Sequence, residues 1–258
     1  MKTKAVFFDI DGTLVSFRTH RIPQSTLNAV SKLREEGVKV FIATGRPMPF
    51  INNLGTLEFD GIIESNGAHC QLTDGTVIFH KHIPQEDIIR ASRYVNEHKM
   101  PSVFASHSDV FITHEDKRTA DAFQLLDIPL PPVRPVEAAL DMDVLQVVGF
   151  FPSSDEPMLM NNIFTGCNAQ RWHPDFADVV VAGIDKSTGI DAVINHFGWS
   201  LDQTMAFGDG GNDIGMLSHV GCGIAMGNAP DAVKRHADYV TTDIDDDGIA
   251  NALRMYLQ

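Results

Sequence analysis

The sequence predicts an α/β protein in which both ends of the chain build one parallel-sheet domain and the middle builds a smaller α+β domain. Three observations predict it. Short, continuous apolar runs near both ends read as strands covered on both faces. Helical patterns alternate with those runs before residue 65 and again after residue 185. Between these stretches the alternation gives way to hairpin signals and mixed patterning.

Taken in order, residues 5–8 form the first buried strand. Leu27, Val30 and Leu33 share helical spacing within 24–36, and Gly37 closes that helix. The run 38–43 is a second buried strand and 61–64 a third, so the order implies a βαβ unit with a right-handed crossover. Residues 71–73 and 76–79 flank Asp74-Gly75, a hairpin signal. A helix over 85–98, strands near 102–105 and 109–113, and a helix over 116–126 follow. Pro129, Pro131, Pro132 and Pro135 mark a loop that leads to a strand at 145–151. A helix near 155–164 and strands near 168–173 and 177–182 complete the middle. Helices near 187–197, 212–218, 230–236 and 246–256 then interleave with strands at 204–208, 223–226 and 239–241. The expected domains are 1–82 with 184–258, and the insert 83–183.

The chain has 258 residues, with 34 Asp and Glu against 20 Lys and Arg, for a net charge of −14. Its 43% apolar and 21% charged residues exclude wholesale disorder and a collagen-like chain. The acidic balance argues against nucleic acid or an anionic membrane as partner. A small anionic substrate remains compatible, because a local basic group or a bound cation can reverse the sign of one cleft. Three cysteines, Cys70, Cys167 and Cys222, with no Cys-x-x-Cys pair, fit neither a disulfide framework nor a zinc knuckle. Free thiols suit a reducing cytoplasm, and the apolar run after Met1-Lys2-Thr3-Lys4 is too short for a leader or a membrane span. A soluble cytoplasmic protein is expected; nothing in the sequence specifies an oligomeric state.

Four segments carry residues suited to chemistry. Asp9-Ile10-Asp11-Gly12-Thr13 follows the first buried strand. Two carboxylates beside a low-dielectric core repel each other and call for a cation or a shared proton, although Asp-Gly can also be simply a turn. Thr44-Gly45-Arg46-Pro47 ends the second strand, where a hydroxyl and a backbone N–H can bind an anion or cap a helix. Gly208-Asp209-Gly210-Gly211-Asn212-Asp213 ends another strand. A capping turn does not require so much negative charge, whereas hard oxygen ligands suit Mg²⁺, and Asp209 and Asp213 can approach one centre across a helical turn. Lys186, where the chain re-enters the α/β pattern, reads by itself as one surface lysine among many.

Together, Asp9 and Asp11, Thr44, Lys186, and Asp209 with Asn212 and Asp213 resemble the four motifs of the haloacid dehalogenase superfamily, in their order. The large insert resembles the branch with a type-II cap. Ser65-Asn66-Gly67-Ala68 and Ala225-Met226-Gly227-Asn228-Ala229 are similar to the Cof-type, sugar-phosphatase-like subfamily. The resemblance implies a Rossmann-like core with an inserted α+β cap domain, and a Mg²⁺-dependent phosphatase acting on small phosphorylated metabolites such as sugar phosphates. It implies Asp9 as nucleophile and Asp11 as acid and base. Thr44, Gly45, Lys186 and Asn212 would bind phosphate, and Asp9, Asp11, Asp209 and Asp213 would form the metal site. A phosphotransferase or phosphomutase of the same chemistry is the alternative, and a phospho-Asp signalling receiver a more distant one, since Asp11 beside an aspartyl-phosphate would shorten its life.

Other signals carry less. His80-Lys81-His82 lacks a third ligand nearby and reads as surface. The run from Asp243 to Gly248 resembles the start of a calcium loop, but Arg254 stands where a bidentate Glu is needed, so the acids read as a cap of the last helix. Gly221 to Gly227 has the wrong spacing for a dinucleotide fingerprint. Trp172 and the phenylalanines read as packing groups. His107, His114, Asp116, Arg118, Arg171, His173 and Asp175 are polar candidates in the insert, none of which the sequence assigns to substrate.

Overall fold

The computed structural model describes residues 3–256, without the side chains of Trp172 and Tyr256, so the expected packing of Trp172 lies outside the described residues. The chain runs β1 (Ala5–Phe8), α1 (Gln24–Glu35), β2 (Lys39–Ala43), β3 (Gly61–Glu64), β4 (His69–Leu72) and β5 (Val77–His80). It continues through α2 (Gln85–His98), β6 (Ser102–Ala105), β7 (Val110–Ile112), α3 (Lys117–Leu125), β8 (Gln146–Gly149), α4 (Glu156–Asn162), β9 (Cys167–His173) and β10 (Phe176–Val181). The last part is α5 (Lys186–Phe197), β11 (Thr204–Gly208), α6 (Ile214–His219), β12 (Cys222–Ala225), α7 (Asp231–Lys234), β13 (Tyr239–Val240) and α8 (Gly248–Tyr256).

Two compact units result: Met1–Gly45 with Asn52–Phe79 and Asp185–Gln258, and His80–Ile184 with Arg46–Ile51. The first holds an eight-stranded sheet in the order β13-β12-β11-β1-β2-β3-β4-β5. β1 is parallel to both β2 and β11, with Phe8 opposite Ile42 and Phe207, and β3 turns antiparallel to β4. From β1 the order runs outward through β2 and β3 on one side and through β11, β12 and β13 on the other. The loops after β1 and β11 therefore leave neighbouring strands at one carboxyl edge, the place where open α/β sheets bind ligands. Fully buried β1 explains its unbroken apolar run: Phe7 stacks on Phe41 at 5.2 Å and Phe8 on Phe207 at 5.0 Å between centroids. Each such side chain contributes about 1.5–3 kcal/mol by leaving water.

The second unit holds a five-stranded sheet, β7-β6-β8-β10-β9, with every described pair antiparallel. Ile88, Ala91 and Val95 of α2 cover one core with Phe104, Val147 and Val179. Phe123 of α3 covers another with Val103, Ile112 and Phe150. Three of the insert's polar candidates serve this fold. Asp116 caps α3 by accepting from Thr119 N at 3.0 Å and pairs with Arg118 at 2.7 Å. Arg171 binds Glu156 at 3.0 Å and donates to the carbonyls of Phe151, His173, Pro174 and Phe176.

The structure departs from the sequence reading at several edges. Arg46–Ile51 belongs with the second unit. Phe50 is buried there, edge-on to Phe123 at 5.5 Å, and Arg46 donates to the carbonyls of Phe50 and Leu126. Six residues that hold a single 3₁₀ turn, Met48–Phe50, carry no periodicity that would reveal this. The unit also starts at His80 rather than 83 and ends at Ile184 rather than 183. The strand expected to 151 ends at Gly149, its last residue paired to β10. Within the proline-rich loop, Val136–Asp141 forms a 3₁₀ turn that buries Val136 and Ala139. The helix expected over 230–236 is only one turn, because His236 and Ala237 donate three residues back and tighten its end.

Candidate active site

Asp9 continues β1, its N–H bound to Phe207 O at 3.0 Å. Asp209 follows β11, and Asp213 follows one tight 3₁₀ turn later. That turn points Asp213 Oδ2 back at two backbone donors, Asp209 N at 2.9 Å and Gly210 N at 2.8 Å. Lys186 is the first residue of α5. Asp185 caps that helix by accepting from Thr188 N at 3.2 Å. Gly67 sets the approach of this cap: its φ is +103°, and a Cβ there would lie 2.0 Å from Asp185 O. From this position Lys186 Nζ donates to Asp9 Oδ1 and Asp213 Oδ1, each at 2.6 Å.

Gly12 brings the two halves of the acidic cluster together. Its φ is +84°, and a Cβ would lie 2.2 Å from Asp209 Oδ2, so the turn after Asp11 can lie against the Asp209 carboxylate only as glycine. Thr13 Oγ1 donates to Asp209 Oδ1 at 2.7 Å. Carboxylate oxygens of Asp9, Asp209 and Asp213 all lie within 4.8 Å of one another.

Burial decides the electrostatics. Asp9, Asp209, Asp213 and Lys186 are 6%, 9%, 0% and 1% exposed. Burial and then the Asp213 charge push the Asp9 carboxyl well above the ordinary range, against the pull of Lys186. Burial and Asp213 push Asp209 up to about 7, while the Thr13 hydrogen bond and Lys186 act in the other direction. Asp11 adds to the rise at both. Burial works against the Lys186 ammonium, but Asp213 and Asp9 outweigh it and hold its pKa above the ordinary lysine value. One ammonium thus faces three buried carboxylates. The residual negative charge and the all-oxygen donor set fit a hard divalent cation. Within the set, Asp213 has both oxygens engaged by Lys186 and by backbone N–H groups, so it suits support of the centre better than direct ligation.

A second cluster forms beside Asp213. Thr44 continues β2 and is buried, its N–H on Ile63 O at 2.8 Å and its carbonyl accepting from Asn66 N at 3.0 Å. Asn66 Oδ1 accepts from Asn212 Nδ2 at 2.9 Å. Gly45 lies against both amides, since a Cβ there would stand 3.1 Å from Asn66 Oδ1 and 3.2 Å from Asn212 Nδ2. Ser65 and Asn66 adopt φ of +48° and +53°, a left-handed pair whose strain the site's surroundings must hold.

A family model described as haloacid dehalogenase-like hydrolase matches residues 6–253. The chain belongs to this family. YkrA of Bacillus subtilis, provisionally named a phosphatase, is 33% identical over 98% of both chains. YitU of the same organism, named a 5-amino-6-(5-phospho-D-ribitylamino)uracil phosphatase, is 28% identical over 99% of both. A solved structure described as the subclass IIB sugar phosphatase BT4131 superposes with a TM-score of 0.91 at 42% identity, covering 98% of this chain and 99% of the other.

This haloacid dehalogenase-like hydrolase is thus an enzyme of the phosphatase type, and its fold is the family's parallel-sheet core with a cap domain. Among the described residues, no helix is long and apolar enough to cross a membrane. Of the residues singled out from the motifs, Asp9, Lys186, Asp209 and Asp213 form one cluster, Asp11 lies close enough to raise two of its carboxyls, and Thr44, Gly45 and Asn212 gather around Asn66. Sequence reasoning left three others without a role: Thr13, Asn66 and Asn228. Each lay inside a quoted motif, but its partner is far along the chain, 196 positions for Thr13 with Asp209 and 146 for Asn66 with Asn212. The acids Asp243, Asp245, Asp246 and Asp247 directly precede α8. Asp243 caps the preceding 3₁₀ turn through Asp245 N at 2.9 Å, and Asp245 binds Ser16 and Arg18 of the loop after Asp11.

Proposed function

We propose that this enzyme hydrolyses small phosphorylated metabolites, sugar phosphates among them, with Mg²⁺ and through an aspartyl-phosphate on Asp9. One observation carries the reading: three buried carboxylates and a buried lysine from distant segments converge where β1 and β11 end. Such a cluster is costly without a cation, and a phosphate dianion could not approach it.

Asp9 attacks phosphorus, forming one O–P bond as the ester O–P bond breaks. Asp11 gives its proton to the departing alkoxide, which leaves as the alcohol. Asp11 then takes a proton from the water that attacks the aspartyl-phosphate, releasing inorganic phosphate and the Asp9 carboxylate. Lys186 and Thr44 hold phosphoryl oxygens, with the Gly45 N–H and Asn212 assisting. Asp9, Asp209 and the Asp11 backbone carbonyl would hold Mg²⁺, with Asp213 behind them; the ion supplies positive charge against the phosphoryl oxygens.

A screen of phosphorylated metabolites with and without Mg²⁺ tests this reading. Activity should vanish in EDTA and in a folded Asp9→Asn variant. Asp11→Asn should lose most with alkyl phosphates and least with aryl phosphates, whose leaving groups need no proton. Wild-type turnover by Asp9→Asn would overturn the nucleophile. Release of an isomerised sugar phosphate in place of inorganic phosphate would favour a mutase.

A further inference from the structure

Asn228 sits in the turn after β12 and touches three segments at once. Its Oδ1 accepts from Ile244 N at 3.1 Å. Its Nδ2 donates to Gly12 O at 2.8 Å and lies 3.3 Å from Asp209 Oδ2. The orientation of this amide is not arbitrary. A backbone N–H can only donate, so the oxygen must face Ile244, and the NH₂ group must face the carbonyl and the carboxylate. Both acceptors then receive a hydrogen.

The geometry has a consequence for Asp209. Thr13 holds Oδ1 at 2.7 Å and Asn228 approaches Oδ2, so both oxygens carry a donor and the plane of the carboxylate is set from two sides. The same amide pins the Gly12 carbonyl. Gly12 has φ +84° and directly follows Asp11, so fixing its carbonyl restrains the turn that presents the Asp11 backbone. One side chain therefore ties together the two loops that leave β1 and β11.

We propose that Asn228 is a positioning residue that orients Asp209 and the Asp11–Gly12 turn for a divalent cation; this rests on reading the acidic cluster as a cation site. Asn228 holds no ligand position itself. It acts as outer partners of metal-bound carboxylates do, and losing such a partner lowers metal affinity about 10- to 100-fold. The contact to Ile244 anchors the amide, while its other end does the orienting.

The test is direct Mn²⁺ binding to the full-length protein, read from the free-Mn²⁺ electron paramagnetic resonance signal. Phosphatase rate is measured in parallel against Mg²⁺ concentration. Asn228→Ala should bind Mn²⁺ about 10- to 100-fold more weakly and need correspondingly more Mg²⁺ for half-maximal rate, while kcat at saturating Mg²⁺ stays within a few-fold of wild type. Asn228→Ser, too short to reach Gly12 O and Asp209, should behave alike, and it serves if the alanine variant fails to fold. Folded variants that bind Mn²⁺ as the wild type does would overturn the proposal, as would a loss confined to kcat with unchanged metal dependence. A wild-type protein that binds no Mn²⁺ would instead overturn the cation site on which it rests.

Discussion

Lys186→Met removes an ammonium from the acidic cluster while keeping most of the side chain's length and volume. Lys186 is 1% exposed and lies 2.6 Å from both Asp9 and Asp213, so water cannot take its place. Removing one partner of a buried ion pair costs roughly 3–5 kcal/mol, because the charge left behind is uncompensated. In a chain of this size each kcal/mol moves Tm by about 2–4 °C, so the metal-free variant should melt about 6–20 °C lower near neutral pH. The loss should shrink toward about pH 5, where protons neutralise the carboxyls that burial has pushed up. Added Mg²⁺ should narrow the gap as well. The assay is thermal unfolding followed by circular dichroism, with EDTA or Mg²⁺, at both pH values. A metal-free variant melting within about 2 °C of wild type near neutral pH would refute the argument that Lys186 neutralises a buried acidic cluster.

The raised carboxyls of Asp9 and Asp209 give a second outcome. A group whose folded pKa exceeds its unfolded value favours folding at low pH, and that contribution is lost as pH rises from the unfolded value of 3.8 through the folded one, about 7 for Asp209. Metal-free protein should therefore lose stability across that window; Asp209→Asn should flatten the slope, and Mg²⁺ should abolish it. A metal-free Tm that rises steadily between about pH 5 and 7 in wild type and Asp209→Asn alike would contradict this. Gly67→Ala should destabilise by more than about 1 kcal/mol and cut activity by displacing Lys186, since its Cβ would strike Asp185 O at 2.0 Å. Gly198→Ala, also at positive φ but with nothing within 4 Å, should show only the milder backbone cost and keep activity. Equal effects from the two, by calorimetry and phosphatase assay, would remove the steric argument.

The first unit was largely legible along the chain. Runs such as Ala5–Phe8 and Thr204–Gly208 are continuous because both faces of the strand are buried, and that pattern survives in a linear string. The second unit was legible as elements but less so in its edges. Arg46–Ile51 joins it through Phe50 and Arg46, contacts that no periodicity announces. Asp209, Asn212 and Asp213 stood out because a capping turn does not require so much negative charge, whereas Asp9 and Asp11 drew attention through their mutual repulsion beside the core, with a plain turn left open. Lys186 did not stand out by itself, because a lysine is ordinary until its surroundings are known.

Which segments become buried strands and which loops carry acids can be read along the chain, since both depend on neighbours a few residues apart. Only the fold places β1 beside β11, and with it brings carboxylate oxygens of Asp9 and Asp209 within 4.8 Å of each other. It also decided that Lys186 is buried between two carboxylates and that Asn228 spans Gly12, Asp209 and Ile244. The physical reason is range: strand pairing and helix docking bring together groups up to two hundred positions apart, and the pKa of each is set by those neighbours in space.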